Sequence, residues 1–289
     1  MSAPTLILFL LLMQDAYQTG LDAYHRHDYV KAAEQFELAI KSAPPDSAAR
    51  REAMVFLGQS LYLSSHFKEA IPWLEQASAG QIHPLEVNYM LGVAYVQARE
   101  PEKCVAAFAK LYNVGPASAA ARLIAAQMMV RYGFEEDAEK QLRHALEFDP
   151  KIPEAHLILG ELATYHGEID RAVAELGKEI EINPNFATAY YKLGDAYSRR
   201  EQWDEAIPNL ERSIWLNPNF SGPYILLGKG YLKRKELSNA ENTLRQAIRM
   251  DPRNYSAHYL LGQTLMQAGR TEEARKILEE AKALKGPEK

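Results

Sequence analysis

Cysteine is almost missing from this chain. Cys104 is the single one in 289 residues, so no internal disulfide can form and packing must hold the fold. That leaves the compartment open, because a large helical protein needs no staples in an oxidising environment either. A surplus of positive charge is missing too. The 33 Lys and Arg face 38 Asp and Glu, for a formal net charge of −5, without the basic footprint that nucleic-acid binding leaves. Runs of β-branched residues are few, while Ala, Leu, Glu, Lys and Arg abound, which favours helix. With 47% hydrophobic and 25% charged residues, core material is ample and the composition is not that of a disordered chain.

Catalytic motifs are lacking as well. The sequence has no Gly-rich phosphate loop and no Gly-x-Ser-x-Gly elbow. The histidines are scattered. His25, His27 and Asp28 cluster, but side chains two apart at a helix end diverge, so a solvated turn is expected there rather than a metal site. No enzyme activity, cofactor or metal is expected. Leu6 to Met13 is an unbroken apolar run, too short to span a bilayer, which takes ~20 residues. Residues 1–12 read either as a signal-peptide-like leader or as an apolar N-terminal cap. No Lys or Arg precedes the run, and Ala16 is a poor cleavage candidate. The reading leans towards export to the periplasm or envelope over the cytoplasm.

What is present is a repeat. Gly58, Gly92, Gly160, Gly194, Gly228 and Gly262 are spaced by 34 residues or a multiple of 34, with Ala126 filling the gap. Twelve residues after each lies a small residue: Ala70, Cys104, Ala138, Ala172, Ala206, Ala240 and Ala274. Four further on lies a large apolar one: Leu74, Phe108, Leu142, Leu176, Leu210, Leu244 and Leu278. Pro116, Pro150, Pro184, Pro218 and Pro252 recur at one phase, where they end a helix. An earlier unit with Gly20, Ala32 and Phe36 sits 38 residues ahead, with an insertion around Pro45 to Arg50. In the unit from Ala187, Tyr190, Leu193, Gly194 and Tyr197 share one helix face, and Ala206 and Leu210 start a second helix after a short connection. Helices joined so briefly are antiparallel neighbours. One pair cannot bury its apolar face alone, so stacking makes a continuous core. The stack is expected to run without a domain boundary, its softest point at the insertion. Glu179 and Ser213 stand where the repeat is otherwise small and apolar, Leu111 is oversized, and Gly286 and Pro287 fall where a further helix would start.

These residues resemble the tetratricopeptide repeat family. The stretch 189–218, AYYKLGDAYSRREQWDEAIPNLERSIWLNP, matches its pattern nearly throughout. The resemblance covers residues 13–289, as eight units starting at 13, 51, 85, 119, 153, 187, 221 and 255. It implies an all-α fold, a right-handed superhelical solenoid of antiparallel helix pairs with a concave groove. It also implies a protein–protein interaction scaffold or adaptor that binds a peptide or protein segment, with cell-envelope assembly as the setting if the chain is exported. An accessory subunit of a soluble enzyme is the alternative.

The resemblance implies a groove lined by the second, fifth, ninth, twelfth and thirteenth positions of each unit. On this chain those positions give an apolar and aromatic N-terminal stripe that includes Tyr17, Tyr24, Tyr62, Tyr89, Val93 and Leu123. The C-terminal half gives Tyr165, Tyr191, Arg199, Lys229, Lys233 and Tyr259. Either the aromatic stripe is exposed and binds a partner, or curvature or the apolar leader buries it. Either the basic residues form a solvated face, or they receive an acidic segment or a C-terminal carboxylate. The ninth positions carry no Asn, which disfavours the tails of heat-shock chaperones as partners. No polar capping helix is evident after the last unit, so self-association is a further expectation.

Overall fold

The structure, a computed structural model, describes the backbone of residues 3–45 and 47–285 and the side chains of residues 14–45 and 47–285. The described residues form helices joined by short turns, with no strand among them. Packing divides the chain into two units, residues 1–152 and 153–289.

Unit 1 holds four antiparallel pairs. They are α1 (Ala3–His25) with α2 (Tyr29–Ser42), α3 (Ala48–Leu63) with α4 (Phe67–Ala79), α5 (Pro84–Ala98) with α6 (Pro101–Tyr112), and α7 (Ala119–Arg131) with α8 (Glu135–Phe148). Unit 2 holds α9 (Ala155–Tyr165) with α10 (Ile169–Ile182), α11 (Ala187–Arg199) with α12 (Trp203–Leu216), α13 (Ser221–Lys233) with α14 (Leu237–Met250), and α15 (Tyr255–Gln267) with α16 (Thr271–Lys285). Within each unit every helix also packs on the next in sequence, and successive first helices touch.

The glycine of the repeat sits directly against the large apolar residue of its partner helix, except in α7–α8, where Ala126 takes its place. A Cβ added at Gly160, Gly194 or Gly228 would meet Leu176, Leu210 or Leu244 at 2.5–2.7 Å, and one at Gly92 would meet Phe108 at 2.7 Å. The missing side chain is what lets the two backbones approach. The leucine it admits is fully buried, worth roughly 1.5–3 kcal/mol by burial of apolar surface. The turn inside each pair is equally regular. His27, Ser65, Arg99, Gly133, Gly167, Glu201, Lys235 and Gly269 all adopt positive φ, between 56° and 80°. A left-handed residue ends the first helix and sends the chain straight into the second.

Two anomalies of the sequence are resolved in unit 2. Glu179 is completely buried and accepts the backbone N–H groups of Glu154 (3.0 Å) and Leu157 (3.2 Å). Its carboxylate caps the start of α9 from the facing helix, the task an N-cap side chain performs locally. Ser213, one repeat later, donates to the carbonyl of Ala187 at 2.8 Å.

The insertion near Pro45 is not where the chain divides. Arg50 donates to the carbonyl of Ile40 (2.9 Å), Ser47 caps α3, and α2 and α3 stay packed. The division falls instead after Ile152, beside Pro150, Pro153 and a left-handed Glu154. The apolar run 6–13 continues α1 in its backbone, and its side chains lie outside the described residues, as do Gly286 and Pro287. No helix of the described residues is long and apolar enough to cross a membrane.

Candidate functional site

In unit 2, α11, α13 and α15 present the same stripe of the repeat to one cleft of about 410 Å³. Tyr191 and Asp195 come from α11, Gly222, Ile225, Leu226 and Lys229 from α13, and Ser256, Tyr259 and Leu260 from α15. These fall on helical spacings of three and four, so each helix offers a single face. Tyr191 stands edge-on to Phe220 with centroids 5.0 Å apart, and Tyr259 stacks on Tyr255 at 5.7 Å. The two tyrosines are thereby held as fixed walls. Gly222 keeps the floor open: a Cβ there would come within 3.3 Å of the Tyr191 ring. Burial, followed by the charge of Asp195, raises the Tyr191 hydroxyl pKa, so it stays a neutral donor.

The charges around the cleft are unequal. Asp195 pairs with Arg199 at 3.2 Å, and Lys233 pairs with Glu201 at 2.8 Å. Arg200 pairs with Asp170, and Arg234 with Asp204. The basic residues are therefore not a repelling stack in need of an anion, because carboxylates one turn or one repeat away already face them. Lys229 differs. Its ammonium lies 5.8 Å from the Trp203 ring centre, and among the described residues it has no ion pair. Of the basic residues singled out from the sequence, Lys229 lines the cleft and Arg199 and Lys233 do not. Tyr165 is 75% exposed at the end of α9, against His166.

The corresponding stripe of unit 1 is covered only in part, with Tyr17, Tyr24, Tyr62, Tyr89 and Leu123 half-buried. Val93 is 1% exposed, as is Val55, so Val93 offers no surface to a partner and its placement in a groove is corrected. First helices meet in both units, so the difference lies in the side chain: the ninth position is the apolar Val93 here and the charged Asp195 and Lys229 in unit 2. Tyr17 and Tyr24 lie edge-on to Phe56, at 6.2 and 5.5 Å, and Tyr24 also reaches Gln59 at 3.4 Å. Tyr62, Tyr89 and Tyr132 are half-buried, and the Tyr132 pKa is raised by burial and then by Tyr89. Leu123 is half-buried.

Cys104, His156 and Asp28 sit in structural contacts. The Cys104 thiol is buried and pushed up to about 12, far from a reactive thiolate. His156 meets Glu175 at 2.6 Å, and Asp28 caps α2.

Family models give the context. Tetratricopeptide repeat models match residues 17–81, 187–220 and 231–286, and a TPR repeat model matches residues 164–199. The chain belongs to the tetratricopeptide repeat family. A MamA structure from Desulfovibrio magneticus RS-1 is similar over 58% of this TPR chain and 94% of its own, at 24% identity and a TM-score of 0.54. A second MamA crystal structure is 26% identical over 55% of this chain and 94% of its own, at 0.52. YrrB, described as a TPR protein with an unusual peptide-binding site, is 22% identical over 62% and 93%, at 0.54. No curated protein sequence matches the chain.

Sequence reasoning passed over Gly222, Ile225 and Ser256, although they occupy second and fifth positions of the stripe that it named. Leu226 and Leu260 belong to the neighbouring positions and carried no such signal.

Proposed function

We propose that this TPR protein is an interaction scaffold that holds a short segment of a partner protein in the cleft of α11, α13 and α15. One observation carries the reading: three successive first helices aim an apolar floor, two fixed tyrosines and the unpaired Lys229 at one cleft. Tyrosines fixed by ring contacts make good contact residues. The segment sets an apolar side chain between Tyr191 and Tyr259 and an acidic group on Lys229, by a charge-assisted hydrogen bond. YrrB carries a peptide-binding site on the same fold. We read the setting as assembly of a cell-envelope complex, on the strength of the apolar run at 6–13; N-terminal sequencing of the mature protein tests that setting separately.

Selection of phage-displayed peptides on the full chain tests the site. Enriched peptides should pair an apolar residue with an acidic one. Lys229→Glu with Tyr259→Ala should weaken them roughly a hundredfold. Peptides that bind the double variant as tightly as the parent would contradict the reading.

A further inference from the structure

Unit 1 carries a second cleft, on the other side of its first helices. Three helical stripes converge on it. From α3 come Leu57, Leu61 and Ser64, spaced by four and three and lying opposite the stripe that meets α5. The wall from α2 carries Val30, Glu34 and Glu37, and the wall from α4 carries Glu69 and Trp73, with His66 just before the helix. The space is about 340 Å³, room for one or two large side chains.

Its lining departs from the repeat in a way the fold does not require. At the position of Val30 the later units carry Lys68, Glu102, Glu136, Asp170, Asp204, Ser238 and Glu272, all polar. In unit 2 that position clasps the next pair, Asp170 on Arg200 and Asp204 on Arg234. In unit 1 the corresponding pair is Val30 and Ser64, and no clasp forms. Val30 is left 56% exposed at the mouth of the cleft. Trp73 contributes a half-buried indole at a position filled by smaller side chains in the other units. The floor is apolar, and the charged groups of the lining are carboxylates. Glu37 reaches Lys41 at 3.0 Å, while Glu34 and Glu69 have no ion pair among the described residues. No Lys or Arg lines the cleft.

We infer that this cleft is a second docking site, for a basic segment of another protein: an apolar side chain flanked by Lys or Arg. The apolar residue fills the space between Val30, Leu61 and Trp73, and the flanking cations meet Glu34 and Glu69. Charge complementarity sets the choice of partner, since like charges on this rim would repel an acidic segment. The site shares no residue with the cleft of unit 2 and stands or falls independently of it.

A fluorescein-labelled, amidated peptide Lys-Arg-Leu-Leu-Arg-Lys and its acidic counterpart Glu-Asp-Leu-Leu-Asp-Glu, titrated by anisotropy against the full chain, test the inference. The basic peptide should bind roughly tenfold or more tighter than the acidic one. Glu34→Lys with Glu69→Lys, both exposed, should remove that preference, and Val30→Asn should weaken it with every charge intact. Two reversals elsewhere control for net charge: Glu279→Lys with Glu280→Lys on α16 should leave the preference in place. Lys229→Glu should leave it in place too. Equal binding of the two peptides would overturn the inference. So would equal losses in the α2/α4 and α16 variants, or an effect confined to Lys229→Glu.

Discussion

The two units use one scaffold and line it differently. At the stripe where successive first helices meet, unit 1 places Val55 and Val93, which are buried, and half-buried tyrosines. At the phase of Val93 unit 2 places Asp195 and Lys229, with Gly222 seven residues before Lys229, and it leaves a cleft. The pairing of helices, set by a small residue against a large apolar one, is common to both. What each unit offers a partner is decided by a few residues the fold leaves free. Repeat architecture therefore separates stability from recognition, because each repeat contributes its own core and each stripe varies independently.

The comparison can be broken most severely at the shared pairing. In unit 2, Gly160→Val should cost about 3 kcal/mol by overpacking, since a Cβ already falls 2.5 Å from Leu176. In unit 1 the same slot holds Ala126, and Ala126→Gly should cost only about 1 kcal/mol by helix propensity. Urea unfolding of both variants checks the contrast. Glu179→Ala should come next, at about 2 kcal/mol, because two backbone donors at the start of α9 lose their acceptor. The small residue itself fits, as Ala145 and Ala247 occupy that phase elsewhere.

Acid and alkali should sharpen the contrast in opposite directions. In unit 2 the carboxyls of Asp170, Glu175, Glu201 and Glu273 are held low by hydrogen bonds from Arg200, His156, Lys233 and Arg270; in unit 1 that of Glu102 is held low by Arg122. A depressed carboxyl stabilises above its unfolded pKa of about 4, and the gain is lost as pH falls through the lower folded value. Unit 2 should lose more on acidification. Burial raises Tyr17, Tyr24, Tyr62, Tyr95 and Tyr132 in unit 1, and Tyr191 and Tyr231 in unit 2. A raised tyrosine stabilises below its unfolded pKa of about 10, and the gain is lost as pH rises from there to the folded value. Unit 1 should lose more in alkali. Fluorescence of variants keeping Trp73 alone or Trp203 alone reports each unit. The smallest effect is expected for Lys233→Gln, which removes an exposed pair with Glu201 and should leave urea unfolding nearly unchanged.

Much of this was legible in the sequence, because a 34-residue repeat states the helix pairing eight times over. The small residues and the large apolar one of each unit meet as their phase requires. The burial of Val93 was not legible, since repeat phase names a groove position without saying which side chains the neighbouring helices cover. The roles of Glu179 and of the Arg–Asp clasps were also hidden. Their partners lie 22 to 30 residues away, and the pairing needs the register of facing helices. At Arg199 and Lys233 a list of basic positions gave the sign of the charge and missed the carboxylates that answer it.

The most direct test of the central claim is a methyl-labelled NMR titration of the full chain with a peptide selected on it. The account predicts shifts at Ile225, Leu226 and Leu260, the methyls of the unit 2 cleft, with Val55 and Val93 unmoved. Shifts centred on Val93, or none at Ile225 and Leu260 at saturation, would contradict it.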